Sequence, residues 1–194
     1  MPSDLQVSNI KDLTGSNTGL SIASDGQITV NQNNPTITLG SNTTFPDSIK
    51  NTPAFQAKVP TTVTITRNAY TVVPFSTEVF DTNSAYTNTA GNYKFTVPSG
   101  HAGKYAFQVN IEADDNGQTW ARCALVISLN GSVSHLFDQN QVHGQNISMS
   151  GAIIQDLSVG DYVQVLAYLV LSNTNNDAEV LPNSFFSGFK LIGV

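Results

Sequence analysis

The chain has 194 residues and a formal charge of −6, and only 11% of its residues are charged. An acidic excess argues against gripping a nucleic-acid backbone, which needs surplus Lys and Arg, and no apolar run approaches the roughly 20 residues of a membrane-crossing helix. The lone Cys123 cannot close an intrachain disulfide, so packing or assembly must supply stability.

The opening MPSDLQVSNIKD has neither a basic start nor an apolar stretch, and it reads as no secretory signal. Residues 1–53 are rich in Asn, Thr, Ser and Gly. They hold short alternating pieces (GLSIAS, QITVN, PTITLG) and no aromatic before Phe45. Such a segment predicts a short β-rich or extended arm with little core of its own.

From Pro53 the pattern changes to longer, aromatic-bearing strands. The alternation predicts ten, near 54–58, 62–67, 70–80, 92–97, 102–113, 119–130, 133–139, 146–156, 161–172 and 182–193. Turn signals separate them: Asn88 to Gly91, Pro98 to Gly100, Asp114 to Gly117, Asn130-Gly131, Gly160-Asp161 and Asn173 to Asp177. No segment combines a helical apolar period with caps. The expectation is an all-β jelly-roll sandwich over 54–194.

Residues 162–171 pose a problem of coverage. Val163, Val165, Ala167, Leu169 and Leu171 share one face, while Tyr162, Gln164, Leu166, Tyr168 and Val170 share the other. The second face is too apolar for water, and a lone sandwich hides only one face per sheet. The closing FFSGFKLIGV is also apolar on both faces. A closed cyclic oligomer would cover them.

Chemistry-bearing residues are sparse. Ser132, Ser134 and His135 invite a hydrolase reading, but no Gly-x-Ser-x-Gly elbow accompanies them, and strand neighbours point apart. His101 reads as structural, and His135 with His143 lacks a third zinc ligand. Asp114 and Asp115 stand in a DDNG turn, where calcium is the alternative to a solvated hairpin. Asp161 reads as a turn residue bonding backbone amides. Neither an enzyme nor a cofactor is expected.

Five fragments in order carry a resemblance: PAFQA (53–57), VPFSTEVFDTNSAY (73–86) with GNYKFTVPSGHAGKYAFQVNI (91–111), LVISLNG (125–131), SGAIIQDLSVGDYVQVLAY (150–168) and SFFSGFKLIGV (184–194). Together they resemble the globular head of complement's first component, q subunit, within the tumour-necrosis-factor-like jelly-roll superfamily. The resemblance implies a homotrimer, with Tyr105, Phe107, Tyr162, Leu166, Tyr168 and Phe186 as interface candidates. The arm, with LQVSNIKDLTG and SDGQITV, resembles the β-rich stems of bacteriophage fibre and head-appendage proteins.

These resemblances imply a virion protein assembled in the host cytoplasm. Its arm would join other virion proteins, and its head would bind a host-surface glycan or protein. Candidate contact residues are Asp114, Asp115, Asn116, Trp120, Asn175 and Asn176, on or beside exposed loops. Two alternatives are a trimer that decorates the capsid or joins virion parts, and a secreted cytokine- or complement-like ligand.

Overall fold

The computed structural model describes residues 50–139, 146–172 and 177–192, together with the backbone of three short strands nearer the start. The chain divides into two compact units, Met1–Thr44 and Phe45–Val194. In the first, β1 (Asn9–Lys11), β2 (Thr18–Ile22) and β3 (Ile28–Val30) form an antiparallel sheet in that order. Two of the three coincide with the pieces GLSIAS and QITVN; PTITLG lies outside the described residues.

The second unit is a sandwich of two antiparallel sheets. Its strands are β4 (Ala54–Lys58), β5 (Val63–Ile65), β6 (Thr71–Val72), β7 (Thr77–Asp81), β8 (Tyr86–Thr89), β9 (Asn92–Thr96) and β10 (Gly103–Asp114). They continue with β11 (Trp120–Leu129), β12 (Ser132–Gln139), β13 (Ile147–Leu157), β14 (Tyr162–Leu171), β15 (Ala178–Val180) and β16 (Phe185–Lys190). The seven-stranded sheet runs β5-β15-β10-β16-β4-β7, with β13 also paired to β10. The six-stranded sheet runs β12-β11-β14-β9-β8, with β6 also paired to β14.

These thirteen strands replace the ten expected, for local reasons. The run 70–80 is broken because Pro74 has no amide to give a ladder. The amides of Phe75 and Ser76 turn back onto the carbonyls of Val73 and Pro74, so β6 and β7 join different sheets. Thr87, Asn88 and Thr89 have turn-type composition, yet they pair with Lys94, Tyr93 and Asn92. The turn itself is only Ala90-Gly91. The last predicted strand is shorter and is preceded by β15, with a turn closed by the Ser184 amide on the Leu181 carbonyl.

Alternation dictates the core. Tyr105, Phe107, Val109, Ile111 and Ala113 of β10 face Val163, Val165, Ala167, Leu169 and Leu171 of β14 across the sandwich, and all are buried. Phe55 is the hub of an aromatic cluster. It stacks on Tyr86 and Phe95 at centroid distances of 5.0 and 5.1 Å and meets the edge of Phe186 at 5.0 Å. Each such pair adds about 0.5–1.5 kcal/mol beyond its area burial.

Candidate functional site

The sandwich interior claims three of the expected interface residues. Tyr105, Phe107 and Phe186 are buried within their own subunit and have no surface to offer a neighbour. The sequence pattern placed them on an apolar face but could not say which partner covered it. Tyr105 donates its hydroxyl proton to the His101 carbonyl at 2.6 Å, and burial pushes its pKa up to about 12. Tyr86 donates to the Phe75 carbonyl at 3.0 Å. Burial first, then the charges of Tyr93 and Glu78, hold its hydroxyl far above the ordinary tyrosine range.

Tyr162, Leu166 and Tyr168 do lie on the outer face of the six-stranded sheet, and all three are half-buried. Side chains of the same subunit supply much of their cover. The Lys94 ammonium lies 4.5 Å from the Tyr162 ring centroid, and the Arg122 guanidinium 5.2 Å from that of Tyr168. Tyr70 packs on Tyr168 at 4.9 Å. Long cationic stems over aromatic rings shield apolar surface while keeping the charge wet. Register aligns Leu136, Val126, Leu166 and Val72 across four strands, and Val126 at the centre is fully buried.

The outer face of the six-stranded sheet still exposes Tyr70, Leu136 and Val133, and that of the seven-stranded sheet exposes apolar side chains to a similar degree. Register sets Ala106 between Ile154 and Phe189, with Ala54 beyond Phe189 and Phe80 opposite Gln56. Ile154 is 65% exposed, Phe80 47% and Phe189 42%. The small Ala106 and Ala152 leave a groove of about 650 Å³ beside Phe189 and Ile154, and a second of about 400 Å³ lies between Phe189 and Phe80. Sequence reasoning passed over Ile154 and Phe80. The adjacent pair Ile153-Ile154 was the available signal, since strand neighbours cannot both point inward.

The turn between β10 and β11 is built from its own acids. Asp114 Oδ1 accepts the Asn116 amide at 2.8 Å, Asp115 Oδ1 accepts the Gly117 amide at 3.0 Å, and the Asp115 carbonyl accepts the Gln118 amide. Asp115 is 4% exposed, and its Oδ2 is buried without a hydrogen-bond partner. Asn116 is exposed and Asp114 half-buried. The calcium reading gains no ligand set here: among the described residues no three His, Cys, Asp or Glu side chains converge where a metal ion could sit. Trp120 is 1% exposed and belongs to the core, so its ring is closed to a sugar. Asn175, Asn176 and His143 lie outside the described residues.

Ser134 and His135 share a hydrogen bond at 3.0 Å, contrary to the expectation that strand neighbours point apart. A register shift in the β11–β12 pairing beside them brings the two together. No third group orients the imidazole among the described residues, so a nucleophile–base–orienter set is not assembled. Asp161 anchors a different turn. It accepts from Asn130 Nδ2 and from the Ser158 amide, each at 2.8 Å, and these bonds hold its carboxyl below the ordinary range.

Two antiparallel sheets packed around one aromatic core, with no helix among the described residues, define a jelly-roll sandwich. The family model of the C1q domain matches residues 54–191, and the chain belongs to that family. The globular domain of zebrafish complement 1qA protein shares the fold. Its TM-score is 0.54 at 20% identity, with 72% of this chain and 97% of that one covered. Murine APRIL aligns with a TM-score of 0.49 at 14% identity, over 71% of this chain and 98% of its own. No curated protein matches the sequence. C1q-like domains commonly form trimers, bind ligands and are generally non-enzymatic.

Proposed function

We propose that the protein is a non-enzymatic, homotrimeric binding module of a virion, a fibre or head appendage whose jelly-roll head engages a host-surface glycan or protein. The observation that carries assembly is the apolar outer face of the seven-stranded sheet, with Ile154, Phe189 and Phe80 exposed beside two grooves. On that reading the threefold contact uses this sheet. The face of Tyr162, Leu166 and Tyr168, partly covered by Lys94, Arg122 and Tyr70, then points away from the axis. An obligate contact of this kind would bury roughly 1,000 Å² or more per subunit.

The arm, residues 1–53, joins the head to other virion proteins, and the protein assembles in the host cytoplasm. Support for this part is the resemblance of the arm to β-rich phage stems. Receptor contact falls to the turn after β10, through its exposed Asn116 and Gly117, and Asn175 and Asn176 are also among the residues to test.

Solution mass by light scattering tests assembly. The full chain should be a trimer, Ile154→Lys should dissociate it, and Leu166→Lys should not. A trimeric Ile154→Lys beside a monomeric Leu166→Lys would move the contact to the six-stranded sheet. Competition by purified protein against virion attachment tests the adhesin reading. Virions that attach normally without the protein would refute it, and dozens of copies per virion would favour capsid decoration.

A further inference from the structure

The chain contains two Asn-Gly pairs, Asn116-Gly117 and Asn130-Gly131. Both sit in tight turns with positive φ at each residue: 53° and 74° in the first, 52° and 79° in the second. Both asparagines are exposed. An asparagine before glycine can modify itself. The following amide nitrogen attacks the side-chain Cγ, and glycine offers no side chain to hinder the approach. The two turns share this backbone, but their surroundings differ.

Asn130 is held at both ends of its amide. Its Nδ2 donates to Asp161 Oδ1 at 2.8 Å, and its Oδ1 accepts the Tyr162 amide at 2.9 Å. Its backbone amide also donates to the Tyr162 carbonyl. Rotating Cγ toward Gly131 breaks both side-chain bonds. The Asn116 side chain makes no hydrogen bond among the described residues. The nucleophile beside it is already engaged: the Gly117 amide donates to Asp115 Oδ1 at 3.0 Å, and the second oxygen of that carboxylate is buried and unpartnered.

We propose that Asn116 is a self-modification site, that Asp115 is the base that starts the reaction, and that the Asp161 latch protects Asn130 from the same fate. Asp115 takes the proton from the Gly117 nitrogen as that nitrogen bonds to Cγ of Asn116. The proton returns to the departing side-chain nitrogen, which leaves as ammonia, and a five-membered succinimide remains. Water then opens either carbonyl, giving aspartate or isoaspartate. The net change is amide plus water to carboxylate plus ammonium, with no oxidant or cofactor. Each event adds one negative charge to a turn that already carries Asp114 and Asp115. It also alters a loop offered above for receptor contact, although the chemistry does not depend on that reading.

The test is incubation of the full-length protein at mildly alkaline pH, followed by peptide mapping and isoaspartate detection at both sites. Asn116 should convert faster than Asn130 by a factor on the order of ten or more, the cost of releasing two hydrogen bonds. Unfolding in denaturant should erase the difference. Asp161→Ala should bring Asn130 toward the rate of Asn116. Asp115→Asn should slow Asn116, and the wild-type rate there should rise less than the about tenfold per pH unit of hydroxide catalysis. Equal rates in the folded protein, or a faster Asn130, would overturn the assignment of the site. An unchanged or faster Asp115→Asn reaction would overturn the role of the base.

Discussion

Gly188 sits where the last strand crosses the aromatic core. A Cβ built there would lie 2.5 Å from Phe107 Cδ1, 2.8 Å from its Cε1 and 3.0 Å from Phe55 Cε1. Carbon atoms settle at about 3.5–4.0 Å, so Gly188→Ala forces the Phe107 ring back by about 1 Å. That ring has nowhere to go, because it packs against Phe186 at 5.9 Å, Phe95 at 5.5 Å and Tyr105 at 6.0 Å. Overpacking of this kind costs about 1–3 kcal/mol, and the better strand propensity of alanine returns roughly 0.5–1 kcal/mol. A contact of 2.5 Å puts this case in the upper half of the overpacking range, about 2–3 kcal/mol, so the expected net loss is about 1–2.5 kcal/mol.

Urea unfolding of the full chain at one fixed protein concentration measures it, since assembly makes stability concentration-dependent. Phe107→Leu makes room for the new methyl group. The double variant should therefore lose less than the sum of the singles, by about 0.5–2 kcal/mol. A Gly188→Ala midpoint equal to wild type, or strict additivity with Phe107→Leu, would refute the packing argument.

Three further outcomes follow from the same structure. The folded Asp161 carboxyl titrates below its ordinary 3.8, so its contribution is present above that value and is lost as pH falls through the lower folded value. The stability gap between wild type and Asp161→Ala should narrow through that acid window, read by denaturant midpoints across pH. Tyr86 and Tyr105 hold their protons more tightly when folded. Their contribution is complete below about pH 10 and declines above it as the unfolded chain ionises first, so tyrosinate absorbance should show two late phenols and urea midpoints should fall with rising pH. Cys123 is fully buried and should react with a disulfide reagent only on unfolding; a burst of labelling in native buffer would contradict that placement.

Much of the fold was legible because strand alternation is local. The pattern of 103–114 and 162–171 names the core residues that the structure buries, and the Asn-Gly and Gly-Asp dipeptides mark real turns. What stayed hidden was non-local. Nothing in Tyr-Thr-Asn-Thr at 86–89 announces a strand until Phe95 is seen opposite Tyr86. Alternation told that Tyr105 and Tyr162 each needed cover, but not that one would find it inside the sandwich and the other under the Lys94 ammonium. The row of Ile154, Ala106 and Phe189 comes from three strands distant in sequence, so no window along the chain displays it.

The place of β16 in the seven-stranded sheet reaches back to how the protein is made. It is the strand that joins two halves: β4 with β7 on one side, and β10 with β13 and β15 on the other. Until residues 185–190 have been synthesised, those halves share no ladder, and Phe55 and Phe107 lack the Phe186 ring that packs against both. The head therefore cannot close progressively as it leaves the ribosome. A nascent chain stalled before Phe185 holds an open aromatic core, the form that chaperones retain and proteases remove, and completion comes in one late step.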